Sequence, residues 1–143
     1  MTALNSGRNT TMRLGDHRIE PMAAAVKVFM GAIVMRNAAG HVTKGATATG
    51  CIGVGRASDT FDNTTGAAGD LRCEYRTGIF GFANLAADLV TQADVGKLCY
   101  IADDQTVAKT DGTGTRSPAG YVDGIEGGTV WVRLDEAVTR GGI

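Results

Sequence analysis

A chain of 143 residues, 43% apolar and 20% charged, is long enough to bury a core as one domain and too apolar for wholesale disorder. A formal charge of −1 excludes nucleic-acid binding through an overall basic field. Glycine is the outlier, 21 of 143 residues against a usual ~7%, and it follows no fixed period. That excludes collagen and leaves many tight turns between short strands.

Residues 1–22 form an expected N-terminal arm, polar and without either periodicity, in which Met12, Leu14 and Ile19 are too sparse to build an element. Two readings stand for it: a frayed terminus, or an extended segment docking on a partner with Arg8, Arg13 and Arg18 available to carboxylates. The run at 22–35, MAAAVKVFMGAIVM, is too short to span a bilayer and contains Lys27 and Gly31. It also starts too far from Met1 for a signal peptide. No membrane association is expected, and the chain is read as made in the cytoplasm. Val26, Val28 and Met30 alternate as a strand, Gly31 marks a bulge or bend, and 32–35 continues the apolar run. After a turn at 37–40, residues 41–43 read as a short return strand. Residues 47–54, TATGCIGV, read as a strand broken by glycines, with Ile52 and Val54 inward.

The clearest pattern follows, over 61–82, FDNTTGAAGDLRCEYRTGIFGF. Residues 62–69 read as a shaped loop in which Asp62 and Asn63 hold their own turn through side-chain bonds to backbone. In 71–76, Leu71, Cys73 and Tyr75 alternate with Arg72, Glu74 and Arg76, the pattern of a strand with one face in a core and one in water. The inward set is Leu71, Cys73 and Tyr75. The outward rung Arg72, Glu74 and Arg76 is a candidate contact surface, together with Asp62 and Asn63. Helical signal is weak: Leu85, Leu89 and Val90 make one possible stripe, and Thr91 is placed to cap the Asp94 amide before Gly96 stops the turn. Residues 97–101 and 106–109 read as a hairpin, 111–118 (DGTGTRSP) as a surface loop, and 120–122 with 129–134 as a final strand pair. Trp131, beside Thr129 and Arg133 on the polar side of that strand, either closes a barrel end or anchors a protein interface. The expectation is all-β: a single Gly-rich barrel or sandwich of short antiparallel strands over 23–136, with at most one short helix, an extended arm and a loose tail over 137–143.

Candidate chemistry is thin. Gly53-Val54-Gly55-Arg56-Ala57-Ser58 opens like a dinucleotide fingerprint, but Ser58 replaces the last glycine and no helix start follows. Gly45 and Gly50 have P-loop spacing, yet Cys51-Ile52 stand where Lys and Ser/Thr reach phosphate and magnesium. His17 and His41 lack ligand spacing, and neither Asp62-Asn63 with Asp70 nor Asp103-Asp104 has the spacing of a calcium loop. No cofactor or metal is expected. Three cysteines, Cys51, Cys73 and Cys99, are odd in number, and Cys73 and Cys99 sit in apolar runs, so reduced thiols are expected rather than a disulfide framework. No nucleophile elbow is present, and the chain is read as non-enzymatic.

The strands carry a resemblance. Gly31-Ala32-Ile33-Val34 with the Gly40 turn, Ile52-Gly53-Val54-Gly55 before the 59–69 loop, and Gly66-Ala67-Ala68-Gly69-Asp70 are its first half. Gly78-Ile79-Phe80, Val95-Gly96-Lys97-Leu98-Cys99-Tyr100, Asp103-Asp104-Gln105-Thr106-Val107, Ala119-Gly120 and Val130-Trp131-Val132 complete it. Across most of 26–134 the chain resembles the small capsid decoration, or cement, proteins of tailed bacteriophages with a Mu-like head module. The resemblance implies a virion structural protein, often a homotrimer, that binds the outside of the head. There it bridges major capsid protein subunits and stiffens the shell against packaged DNA. It implies shell contacts from terminal arms, although residues 1–22 are the least matched part. Two other readings compete: a phage tail or baseplate β-barrel module binding carbohydrate or protein through the 63–65 loop and Trp131, and a small hydrolase.

Overall fold

The computed structural model describes residues 2–143; Met1, the first residue of the expected arm, lies outside the described residues. The fold is all-β with one short α-helix. Its strands are β1 (His17–Pro21), β2 (Val26–Val28), β3 (Ile33–Arg36), β4 (Val42–Lys44), β5 (Ile52–Ala57), β6 (Phe61–Asn63), β7 (Arg72–Arg76), β8 (Gly78–Asn84), β9 (Leu98–Ile101), β10 (Thr106–Ala108), β11 (Pro118–Glu126) and β12 (Thr129–Leu134), followed by helix α1 (Glu136–Gly141). They form a five-stranded sheet in the order β1-β7-β5-β3-β4, a closed barrel β10-β8-β12-β11-β9, and a two-stranded ribbon β2-β6. The ladders are antiparallel except β10 with β8, which run parallel. Met22 continues β1 into an isolated parallel bridge with Val42 of β4, so the two edge strands of the open sheet are linked through one fully buried methionine.

Two apolar clusters result, and β3 belongs to both. Ile33 and Met35 join the barrel core, with Ile101, Val107, Val130, Val132 and Leu134. Val34 points the other way, among Met22, Val28, Val42, Val54 and Tyr75. A strand covered on both faces has no polar alternation to show, which is why 32–35 reads as a continuous apolar run. The same packing explains Gly53 of β5. Ile52 and Val54 fill the sheet-side core, whereas a Cβ on Gly53 would collide with the carbonyl oxygen of Ala119 in β11. Only glycine lets the backbones of sheet and barrel approach this closely.

Several local expectations are corrected. Phe61–Asn63 is a strand paired with β2, with Val26 opposite Asn63 and Val28 opposite Phe61, so Asp62 and Asn63 belong to a strand rather than to the loop. Leu71 is 41% exposed and not core: it stands just before β7, and the inward face keeps only Cys73 and Tyr75. The stripe at Leu85, Leu89 and Val90 makes a single 3-10 turn, Ala86–Asp88, with Val90 buried and Leu89 exposed. At Thr91 the expected cap is half of a reciprocal capping box, in which the Thr91 amide and hydroxyl also donate to the Asp94 carboxylate, at 2.8 and 3.0 Å. The end of the chain is not loose. Asp135 accepts a bond from the Val138 amide at 3.2 Å, starting α1, and Thr139 is fully buried against the body. Nor is all of 1–22 an arm, since β1 and Met22 are built into the sheet and 2–16 alone lies outside any strand.

Candidate interaction surface

β1 is held at the sheet edge by five residue pairs with β7, from His17 opposite Arg76 to Pro21 opposite Arg72. Because opposed residues share a face, Cys73 and Tyr75 carry Glu20 and Arg18 to the inner side. His17, Ile19 and Pro21 join Arg72, Glu74 and Arg76 on the outer side. That outer face is partly self-neutralised: the Glu74 carboxylate lies 2.6 Å from His17 Nε2, and Arg76 lies 3.8 Å from Asp16. Arg72 donates to the Ile19 carbonyl at 3.4 Å and, among the described residues, has no carboxylate within ion-pair distance. Residues of this face form a cleft of about 490 Å³ with Arg13 and Arg18.

Upstream, Arg8 and Arg13 are exposed on strand-free residues 2–16. The same segment presents Leu4 (73% exposed), Met12 (89%) and Leu14 (77%) to solvent. Its attachment is local: the Thr77 amide donates to the Asp16 carbonyl at 2.9 Å, and Arg18 Nε to the Gly15 carbonyl at 3.4 Å.

Asp62 and Asn63 are adjacent but have different environments. Asp62 is exposed, accepts from the Thr64 amide and hydroxyl at 3.0 and 2.7 Å, and lies 4.0 Å from Lys27. Those Thr64 bonds hold its carboxyl below the usual carboxylate range. Asn63 is buried, its amide donating to the carbonyls of Ala23 at 2.9 Å and Ala67 at 3.1 Å, so it fastens the 64–70 loop to the chain entering β2. Its position is structural, not one of contact. Trp131 belongs to the outer face of the barrel, where it pairs in register with Gly81; it is half-buried, and its indole N–H has no hydrogen-bond partner.

The most heavily bonded polar group is one that sequence reasoning did not select. Arg36, ending β3, donates to both oxygens of Glu136 at 3.1–3.2 Å, to Glu20, to the Tyr75 hydroxyl at 3.3 Å and to the Gly40 carbonyl at 3.2 Å. Tyr75 in turn donates to Glu20 at 2.8 Å, and Arg140 donates to Glu136 at 2.7 Å. Four distant stretches, β1, β3, β7 and α1, therefore meet on one guanidinium. The Arg36 bond holds Glu20 below its ordinary range against the opposing effect of burial. For Glu136 burial pushes upward, but the bonds from Arg36 and Arg140 outweigh it and leave the carboxyl lowered. Burial and the bond to Glu20 raise the Tyr75 phenol. All these shifts favour the ionised carboxylates and the neutral phenol at neutral pH. The arrangement is a charged clasp fastening α1 to the sheet. Beside it, Gly15, Arg18, Thr77, Asp135 and Arg140 line a cleft of about 510 Å³ leading toward the arm.

Burial pushes the Cys73 and Cys99 thiols up to about 12, so both stay protonated packing groups. Among the described residues, no three His, Cys, Asp or Glu side chains are grouped to hold a metal ion, and no helix is long and apolar enough to cross a membrane. No family model, curated protein or solved structure matches the chain.

Proposed function

We propose that the protein is a non-enzymatic virion structural component, a decoration protein that binds the outer surface of a phage head and bridges major capsid protein subunits. The observation that supports this reading most is the segment 2–14: three large apolar side chains and two arginines held in water beside a well-packed β body. Exposed apolar groups on an extended strand-free segment gain by docking on a protein surface, and Arg8 and Arg13 are available to carboxylates there. Several such arms acting together turn modest single-arm affinities into firm attachment.

The structure sharpens where the arm ends. Removing 1–20 would delete β1 and Glu20, damaging both sheet and clasp; removing 2–14 spares them. Purified protein and its 2–14 deletion are mixed with undecorated heads and sedimented. The full chain is expected to pellet with the heads, and the deletion to remain folded and pellet at least about tenfold less well. If the full chain stays in the supernatant, the decoration reading fails. If both forms bind equally, the arm has no part in attachment.

A further inference from the structure

The two halves of the chain carry opposite charge. Residues 1–77 hold nine Lys and Arg against six Asp and Glu, whereas 78–143 hold five against nine. Two exposed apolar patches sit beside local charges of opposite sign, one flanked by arginines and the other by Asp104. On the β1–β7 outer face, Ile19 is 51% exposed and borders Pro21, Arg13 and Arg72 in one cleft. On the other side, Phe29 (53% exposed) and Met30 (62%) form a cleft of about 410 Å³ with Asp104 and Gln105, from the turn between β9 and β10.

The local charges set the direction of the match. At the first face Glu74 is taken by His17 and Asp16 stands near Arg76, which leaves Arg72 and Arg13 uncompensated among the described residues. At the second, Lys27 lies 4.9 Å over the Phe29 ring and pairs at 4.0 Å with Asp62. Asp103 spends one oxygen on the Gln105 amide of its own turn at 2.8 Å. Asp104 has no cationic partner among the described residues. Within one chain the faces are kept apart, since β7 and β5 stand between β1 and β3 in the sheet order.

We propose that the Arg72–Ile19 face of one copy docks on the Phe29–Met30–Asp104 face of a second copy. Arg72 would meet Asp104 while the apolar side chains cover each other. Because the joined surfaces differ, the contact is head-to-tail, and repeating it closes a ring where the rotation allows. Opposite charge at the rim sets register and partner choice, and apolar cover at the centre supplies affinity. The arm remains free on this scheme, and the contact does not depend on the head-binding reading.

The test needs no heads. Light scattering after size exclusion measures the mass of the wild type, of Arg72→Glu and of Met30→Asp, each at an exposed position, with far-UV circular dichroism checking that each variant is folded. The wild type is expected to self-associate at low salt. Each variant alone is expected to associate at least about tenfold more weakly. Mixed together, each variant supplies the intact face the other lacks, so the mixture is expected to stop at a one-to-one pair. A wild type that is monomeric at every concentration, a variant that assembles as the wild type does, or a mixture that stays monomeric each overturns the proposal. The second of these, one variant assembling as the wild type does, is the signature of a two-fold contact in which one face meets itself.

Discussion

Replacing Arg36 by methionine keeps the aliphatic stem and removes the charge on which β1, β3, β7 and α1 converge. Side-chain exposures of 17% for Arg36, 20% for Glu20 and 26% for Glu136 place the clasp between buried and open. Breaking a fully buried pair costs about 3–5 kcal/mol, and an exposed pair contributes less than about 1 kcal/mol. With two carboxylates left unpaired and water able to reach about a fifth of the group, the expected loss is about 2–4 kcal/mol. Urea unfolding followed by far-UV circular dichroism at low protein concentration measures it. The double variant with Glu20→Gln is expected to lose less than the sum of the two single changes, by at least about 1 kcal/mol. The pH dependence follows in sign. Both carboxyls lie lower when folded than their ordinary value of 4.5, so unfolding takes up protons and their contribution is present above that pH. It is lost as pH falls through the folded-state values, and Arg36→Met should flatten that acid limb. A loss under about 0.5 kcal/mol with additive variants and an unchanged acid limb refutes the clasp.

Gly53→Ala should destabilise by about 2–3 kcal/mol, since the new Cβ meets the Ala119 carbonyl and neither backbone can retreat. Gly124→Ala, with nothing within 4 Å of the added atom, should stay within about 0.5 kcal/mol in the same denaturation assay. Asn63→Ala leaves the Ala23 and Ala67 carbonyls without their donor and should cost about 2 kcal/mol, whereas Asp62→Ala, at an exposed site, should stay within about 0.5 kcal/mol. Hydrogen exchange should report the first change as faster exchange at the Gly66 amide, which donates to the Asn63 carbonyl at 3.1 Å. Ending the chain after Asp135 removes Glu136 and the buried Thr139 and should lower the thermal midpoint by several degrees.

What the sequence revealed depended on whether the cause was local. β7 was legible because one face is covered and the other wet, so period two is written into 72–76. Leu71 broke the rule only because the strand starts one residue later. The glycines of β5 resembled phosphate-binding spacing because their actual reasons are distant in the chain: Gly53 faces Ala119, 66 positions further along, and Gly55 faces the Arg76 carbonyl and the Tyr75 ring. The clasp left no local trace at all: Arg36 and Glu136 are 100 residues apart, and each looks like an ordinary surface charge in its own window. The helix had a readable start, Asp135 placed to cap Val138, but the glycines at 141 and 142 drew the eye to a frayed end. Of the candidate contact residues, Arg72 and the arm arginines are exposed, while Asn63 is structural because its burial is set by Ala23 and Ala67 across the loop.

Imaging heads mixed with the protein by cryo-electron microscopy tests the decoration reading most directly. The account predicts density for the β body on the outer surface, across junctions between major capsid subunits, with residues 2–14 ordered against the shell. Bare heads under conditions where the protein is folded and in excess would contradict it, as would density confined to the tail.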